Sequence, residues 1–252
     1  MRPRAIALTG ALAYAAFLVA TVPASWVAGR VAAATDGSVQ LDDPTGTLWS
    51  GSGRALVASA AGRLAIDRVE WRFAPAELAG GQAAFDLSAT GRGLDAHLRL
   101  GRALSAWVAG PVALSLEAPL VASVLPVAAA WRPEGRIRLS SERFVWNDSG
   151  RATGSARATW DGAAVSLCEV RPLGRYALDA TADNGPVNLT LATLEGALRI
   201  AGKGTFSAPA RLSFSGEARG EGTAAGALEP LLGLMGPRRA DGSRAIEVRA
   251  GG

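Results

Sequence analysis

Apolar and polar residues alternate along much of the chain. Between Arg136 and Ser140, two aliphatic residues alternate with two arginines and a serine. Alternation with a period of two is typical of a β-strand that buries one face. Similar alternation occurs at residues 84–88, 97–100, 187–191, 211–215 and 246–249. These runs follow one another without a strand–helix–strand rhythm. The sequence therefore predicts an antiparallel meander, whose sheet can be curved, and not a doubly wound parallel sheet.

Turn signals and non-alternating stretches divide these strands. An Asx–Gly pair favours the positive φ angles of tight hairpin turns. Such pairs occur at Asn184-Gly185, Asp161-Gly162 and Asp241-Gly242. A few short helices are expected where alternation is lost, namely at Arg102–Ala109, Leu120–Ala130 and Leu228–Met235.

The N-terminal part of the chain has a different pattern. Ala5 to Gly29 is a run of 25 residues without a charge. About 20 apolar helical residues span a bilayer core, so we expect a transmembrane anchor at residues 5–29, even if Pro23 ends or kinks its helix. Arg2 and Arg4 precede the anchor, and positive charge favours the cytoplasmic side. The prediction is a single-pass inner-membrane protein with a cytoplasmic tail (residues 1–4) and a periplasmic β-domain (residues 30–252).

A cleaved signal peptide is the alternative for this segment. Ala32-Ala33-Ala34 offers the small residues that a signal peptidase requires. The uncharged stretch exceeds the roughly 7–15 residues of a signal-peptide core, which favours the anchor. Both interpretations place the chain from residue 35 onward in the periplasm.

The charge distribution argues against nucleic-acid binding. Arg2, Arg4 and Arg30 supply three of the 26 basic residues, which leaves 23 basic against 22 acidic residues in the rest of the chain. Binding to phosphates requires a clustered basic surface. The remaining arginines are interspersed with acids and small residues, so we expect no nucleic-acid partner.

Catalytic and metal-binding constellations are missing from the sequence. The chain has one histidine, His97, and one cysteine, Cys168. A Ser-His-Asp triad would have to use His97, which alternates on the same side as Arg99 and so should face solvent. Cys168 has no second cysteine with which to form a metal site or an internal disulfide. We therefore expect no enzyme activity, no cofactor, no metal and no small-molecule substrate.

Two segments hint at an internal duplication. Pro44-Thr45-Gly46 and Pro133-Glu134-Gly135 lie 89 residues apart, as do Trp71 and Trp160. Equal spacing is expected if residues near 44–132 and 133–220 are pseudo-repeats of one meander. A single irregular β-domain is the alternative.

The segment PTGTLWSGSGRALV, from Pro44 to Val57, resembles the signature of the type II secretion system protein N family. The resemblance is carried by Gly46-Thr47-Leu48-Trp49-Ser50-Gly51. Three further segments follow in the family's order. They are VEWRFAPAEL (residues 69–78, with Trp71 and Pro75), ATWDGA with RPLGRYALDA (residues 158–180, with Trp160 and Tyr176), and LLGLMGPRRADGSRAIEVR (residues 231–249).

The resemblance implies an accessory subunit of the general secretion pathway. Such subunits have a short cytoplasmic tail, one membrane helix and a periplasmic domain, and their apparatus exports folded proteins across the outer membrane. The implied partners are the inner-membrane bilayer and other secretion-system subunits. The family has no catalytic residues to transfer to this chain.

The signature also has a physical interpretation. Gly46, Gly51 and Gly53 permit backbone conformations or close contacts that other residues forbid, and Trp49 can bury a large ring beside them. With Thr47, they predict a bulged strand that packs over the sheet near the membrane. A partner-binding sheet edge is the alternative. Packing roles are expected for Trp71, Pro75, Trp160 and Tyr176.

Two other functions compete with a secretion subunit. A membrane-anchored, AsmA-like lipid-handling β-protein would show a continuous row of aliphatic residues along the sheet, whereas a filled core would favour the secretion subunit. An envelope hydrolase is the third hypothesis, and the sequence offers no nucleophile–base pair for it.

Overall fold

The computed structural model describes residues 14, 17–208 and 211–250. Its strands form one antiparallel sheet in nearly sequential order, which confirms the predicted mainly-β meander. All six alternating stretches lie within strands. The strands are β1 (Val39–Gly46), β2 (Ser50–Ser59), β3 (Gly62–Phe73), β4 (Ala83–Gly91), β5 (Leu94–Arg102), β6 (Ala106–Glu117), β7 (Glu134–Ser141), β8 (Phe144–Asn147), β9 (Ala152–Ala164), β10 (Gly174–Gly185), β11 (Val187–Gly196), β12 (Leu198–Ser207), β13 (Arg211–Gly220) and β14 (Arg244–Ala250).

Strands β7 and β8 occupy one position in the sheet. Both pair with β6 on one side and with β9 on the other, and only Glu142 and Arg143 separate them. Opposite this break, Gly110 has a φ of +132°, and a Cβ atom there would lie 2.2 Å from the carbonyl oxygen of Glu142. Glycine therefore lets β6 stay paired across an irregularity in its neighbour.

Besides the helical residues 17–20, the described part of the chain has four α-helices and two 3-10 helices with defined bounds. They are α1 (Ala24–Ala34), α2 (Ala118–Val124), α3 (Pro126–Ala129) and α4 (Ala225–Met235), with 3-10 helices at Pro75–Gly80 and Gly222–Ala224. The predicted helices at residues 120–130 and 228–235 are confirmed. Helix α1 packs along β1. Helices α2, α3 and α4 all lie at one end of the sheet, called here the helix end. The opposite turn end carries the connections at residues 46–50, 73–83, 102–106, 147–152 and 185–187.

Two local predictions are wrong. Arg102–Ala109 is not a helix, because residues 102–106 turn and residues 106–109 then pair with β8. Asp161-Gly162 is not a hairpin turn, because it lies inside β9 beside a register shift opposite residues 134–136. Gly162 uses its φ of +60° at this bulge. The Asn184-Gly185 turn between β10 and β11 is confirmed, and Asp241-Gly242 lies in a turn closed by the Arg238–Arg244 bridge.

The predicted anchor falls only partly within the described residues. Residues 17–20 are helical, Pro23 follows a turn, and Ala24–Gly29 belong to helix α1. Among the residues that the structure describes, no helix combines the length and the apolarity needed to cross a bilayer. Residues 1–13 and 15–16 of the predicted tail and anchor lie outside the described set, and the transmembrane helix stays a prediction.

One face of the sheet is apolar from β2 to β14. A single registered row crosses these strands, and each member pairs with the next. It consists of Gly53, Val69, Ala89, Ala96, Leu114, Leu139, Ala158, Leu178, Leu191, Gly202, Gly216 and Ile246. Paired residues share a face, so the row defines an apolar face. Every member is half-buried, so the described chain leaves the middle of this face partly open.

The neighbouring row defines a polar face. Its members are Ser52, Glu70, Ser88, His97, Ala113, Ser140, Arg157, Asp179, Thr190, Lys203, Ser215 and Glu247. This side carries ion pairs such as Arg157–Asp179 and Arg138–Asp161. The sheet therefore separates charge from apolar surface, as its sequence alternation requires.

The closest packing lies at the helix end. Leu228, Leu231 and Leu232 of helix α4 pack on Leu198 and Ala218 of β12 and β13. Burying a leucine side chain contributes about 1.5–3 kcal/mol, so this cluster anchors the last third of the sheet.

Candidate functional site

The family-signature residues form a tight hairpin at the turn end. Gly46 of β1 pairs with Gly51 of β2. Thr47 closes the turn, because its N–H donates to the carbonyl oxygen of Ser50 at 2.8 Å. Its hydroxyl oxygen accepts from the N–H of Trp49 at 3.2 Å and of Ser50 at 3.3 Å. A threonine side chain thus satisfies two amides that the turn leaves without strand partners.

At two positions of the signature, steric contacts require glycine. Gly46 has a φ of +91°, and a Cβ atom there would lie 2.5 Å from the carbonyl oxygen of Ser50. A Cβ atom on Gly51 would lie 2.4 Å from Cζ2 of Trp71 and 2.5 Å from the carbonyl oxygen of Thr45. The absence of side chains therefore lets the Trp71 ring lie directly on the hairpin. The register shifts between Asp42 and Thr45, so β1 is bulged just before the signature residues.

Trp71 fixes the hairpin to the sheet. Its side chain is buried, and its indole N–H donates to the carbonyl oxygen of Thr47 at 3.0 Å. Next to it, the rings of Trp49 and Phe73 meet edge to face with centroids 5.0 Å apart, and Phe85 follows at 5.3 Å from Phe73. These contacts pack the Trp49 ring of the hairpin against aromatic rings of β3 and β4.

The hairpin also contacts the residues that precede helix α1. The indole N–H of Trp49 donates to the carbonyl oxygen of Val19 at 2.8 Å, and the N–H of Leu48 donates to that of Val22 at 2.8 Å. Pro23 and Thr47 form an antiparallel bridge. The family signature thus joins the sheet to the C-terminal part of the uncharged N-terminal stretch.

The second tryptophan of the proposed repeat has a related setting. The indole N–H of Trp160 donates to the carbonyl oxygen of Glu134 at 2.9 Å, within Pro133-Glu134-Gly135. Trp71 likewise donates next to Pro44-Thr45-Gly46. The duplication itself stays a prediction.

Tyr176 and Pro75 lie in opposite environments. Tyr176 is buried beside Trp160, and its O–H donates to the carbonyl oxygen of Leu198 at 2.9 Å. Burial raises the pKa of this phenol. Pro75 is exposed at the first position of a 3-10 helix, where its fixed φ suits the start of a helical turn.

A cavity of about 750 Å³ opens on the polar face beside the hairpin. Ser50 and Ser52 line one side, and Arg72 and Arg99 line the other. The guanidinium of Arg99 is held by two acids, at 2.7 Å from Asp86 and 2.7 Å from Glu77. The hydrogen bond to Asp86 is the main cause that raises the pKa of Arg99. The cavity therefore combines paired charges with hydroxyl groups.

His97 also lines this cavity, and its side chain is exposed. Its Nε2 atom lies 3.5 Å from a carboxylate oxygen of Asp95. The predicted surface position of His97 is therefore confirmed.

Sequence reasoning missed most of the exposed aromatics. Trp26, Trp107, Trp131 and Trp146 are all exposed in the structure. Trp107 pairs with Trp146 across β6 and β8 near the turn end. The misassigned helix at Arg102–Ala109 hid this pair, because only the strand register brings the two rings together.

The chain was compared with curated proteins, solved structures and family models. No curated protein and no solved structure matches the chain. A family model described as type II secretion system (T2SS), protein N, matches residues 37–247. The match includes the signature hairpin, confirms the resemblance and supports a part in type II secretion and protein transport. The chain therefore belongs to the type II secretion system protein N family.

Proposed function

We propose that the protein is a non-enzymatic accessory subunit of the type II secretion apparatus. In this proposal the N-terminal segment anchors it in the inner membrane, and the sheet lies in the periplasm and contacts other secretion subunits. The observation that carries the proposal is the hydrogen-bonded junction between the signature hairpin and residues Val19–Pro23. A family signature built at the base of an apolar N-terminal segment is suited to hold a domain at a fixed distance from a membrane.

The cavity beside the hairpin is the proposed contact surface. It combines serine hydroxyls from β2 with alternating acids and arginines from β3 to β5. Mixed charge of this kind orients a protein partner and makes association sensitive to salt.

In-cell photo-crosslinking tests the contact surface. Arg72 is exposed in the cavity, whereas Lys203 is exposed on the same polar face, far from the hairpin. A benzophenone amino acid at position 72 is expected to capture inner-membrane secretion subunits, and the same probe at position 203 serves as the matched control. Equal capture at both positions, or capture at neither, would contradict the proposal.

Membrane extraction tests the anchor separately. Full-length protein is expected to stay in the membrane pellet after alkaline carbonate treatment. A chain in which residues 1–22 are replaced by a cleavable signal peptide is expected in the soluble periplasmic fraction. Release of the full-length chain by carbonate would rule out the anchor.

The apolar face favours a second candidate function, lipid handling. Its registered row extends over twelve strand positions, half-buried, and contains no polar side chain. The feature expected of an AsmA-like lipid-handling protein was a continuous row of aliphatic residues, and nine of the twelve row members are aliphatic whereas three are glycines. Acyl chains can cover such a surface without leaving polar groups unpaired.

Two adjacent substitutions on β11 separate this candidate from the first. Leu191 belongs to the apolar row, and Thr190 belongs to the polar row. If the face binds lipid, the purified full chain should carry phospholipid, and Leu191→Arg should remove it whereas Thr190→Arg should not. Unchanged lipid content in Leu191→Arg would exclude acyl-chain binding at the row.

A further inference from the structure

We infer that the turn end of the sheet rests on the bilayer surface, with Leu104 and Trp107 in the membrane interface. This inference depends on the proposed membrane anchor. It adds a second contact between protein and bilayer, made by folded β-structure and not by the N-terminal segment.

The path of the N-terminal segment identifies the end that faces the bilayer. Val19 and Val22 bind the hairpin turn at residues 46–50, and that turn belongs to the turn end. The residues before them continue the uncharged stretch that starts at Ala5. The proposed membrane therefore begins beside the turn end, while helix α4 lies at the opposite end.

The turn between β5 and β6 exposes apolar side chains that suit a membrane interface. Leu104 is 99% exposed at its tip, although leucine is among the most apolar residues. Trp107 is 40% exposed just behind it. Indole rings prefer the boundary between headgroups and acyl chains, because one edge is polar and the ring is apolar.

The cation beside these residues is already paired. The guanidinium of Arg102 lies over the Trp107 ring at 5.2 Å and binds both carboxylate oxygens of Asp148 at 2.7 and 2.8 Å. A bidentate pair can approach the interface at lower cost than a lone charge. The tip thus presents apolar surface without an unpaired ion.

The tip also reaches beyond the hairpin. Arg102 lies six residues along β5 from the registered row at Ala96, and Ser50 lies three residues along β2 from Gly53. At ~3.3 Å per residue, the β5–β6 turn extends about 10 Å farther than the signature turn. That difference is comparable to the depth of the interfacial region on one side of a bilayer, about 5–8 Å.

Exposed leucines at the two ends provide a matched test. Leu104 lies at the turn end, and Leu234, which is 72% exposed, lies on helix α4 at the helix end. The full chain carrying Cys168→Ser and either Leu104→Cys or Leu234→Cys is labelled with an NBD fluorophore. It is then reconstituted in phosphatidylethanolamine–phosphatidylglycerol vesicles that contain nitroxide-labelled lipid.

The label at position 104 is expected to show blue-shifted, quenched emission, and the label at position 234 the emission of a water-exposed dye. Equal emission and quenching at both positions would overturn the inference. Carbonate extraction of the same vesicles distinguishes the two proposals: a retained chain with an unquenched label at position 104 refutes only the contact, whereas a released chain refutes the anchor and, with it, the contact. Both side chains are exposed, so neither substitution should alter the unfolding midpoint.

Discussion

The indole N–H of Trp49 donates to the backbone carbonyl oxygen of Val19 across thirty residues of chain. Val19 belongs to the uncharged N-terminal stretch, and Trp49 is the aromatic residue of the family signature. The bond sits beside the Leu48–Val22 backbone bond and the Pro23–Thr47 bridge. The signature residue Trp49 therefore fixes where the N-terminal segment leaves the sheet.

Trp49→Phe should loosen this junction while leaving an aromatic ring beside Phe73. Loss of one hydrogen bond costs about 1 kcal/mol, or roughly a fivefold change in a local opening equilibrium. Hydrogen exchange of the Leu48 amide, measured by mass spectrometry on the full chain in detergent, should rise by about that factor. Trp160→Phe removes an indole hydrogen bond far from the junction and is the control. Equal exchange at Leu48 in both variants would show that the Trp49 bond does not hold the segment.

Gly51→Ala should be strongly destabilising. The new methyl would lie 2.4 Å from the Trp71 ring and 2.5 Å from a backbone oxygen, so β2 or the ring must move. Overpacking of this kind costs about 1–3 kcal/mol, measured as the free energy of unfolding in urea. The control is Gly233→Ala in helix α4, where nothing lies within 4 Å of the added atom. Helix propensity there predicts stabilisation of up to about 1 kcal/mol. Equal effects in the two variants would contradict this account of Gly51.

Alternation along the sequence was enough to predict six of the fourteen described strands and the antiparallel order. Each of the six alternating stretches spans at most five residues, so local side-chain preferences are enough to identify it as a strand. The helix predicted at Arg102–Ala109 failed because Trp107 obtains its partner, Trp146, from a strand about forty residues away. The Asp161-Gly162 signal failed for the same reason, since long pairing with β7 and β10 outweighs a local turn preference.

The sequence predicted close packing at the glycines of the signature segment, but it did not identify the residues that they contact. The glycine spacing indicated close approach, yet the ring that approaches Gly51 belongs to Trp71, twenty residues later, and only the register of β2 and β3 identifies it. The contact between Trp49 and Val19 left no trace in local patterning. The two faces of the sheet likewise emerge only when the registers of all strands are combined.

Leu228→Ala should destabilise the last third of the sheet. The side chain is fully buried between helix α4 and the strands, and a leucine-to-alanine change at such a position costs about 2–5 kcal/mol. Leu234→Ala, on the exposed side of the same helix, should stay within about 0.5 kcal/mol of the parent. Urea unfolding followed by tryptophan fluorescence measures both. A small effect at Leu228 would mean that helix α4 does not anchor the sheet.

The ion pair between Asp179 and Arg157 predicts a pH dependence of stability. The two residues are directly paired in β10 and β9, with Nε–Oδ1 at 2.6 Å, and the hydrogen bond from Arg157 lowers the pKa of Asp179. A carboxylate whose pKa is lowered by folding adds stability above its unfolded value of about 3.9, and that stability is lost as the pH falls through the folded value. Both side chains are more than a third exposed, so solvent screening limits the contribution to about 0.2–1 kcal/mol.

Asp179→Asn should therefore lower the free energy of unfolding at pH 7 by an amount in that range. The difference from the parent should shrink steadily below about pH 4, because the parent then loses the same charge. High salt should reduce the difference at pH 7, since the pair is accessible to ions. Asp183→Asn is the control on the same strand, because Asp183 forms no ion pair among the described residues. A difference for Asp179→Asn that persists at pH 2 would show that the amide disturbs packing and that the ion pair is not the cause.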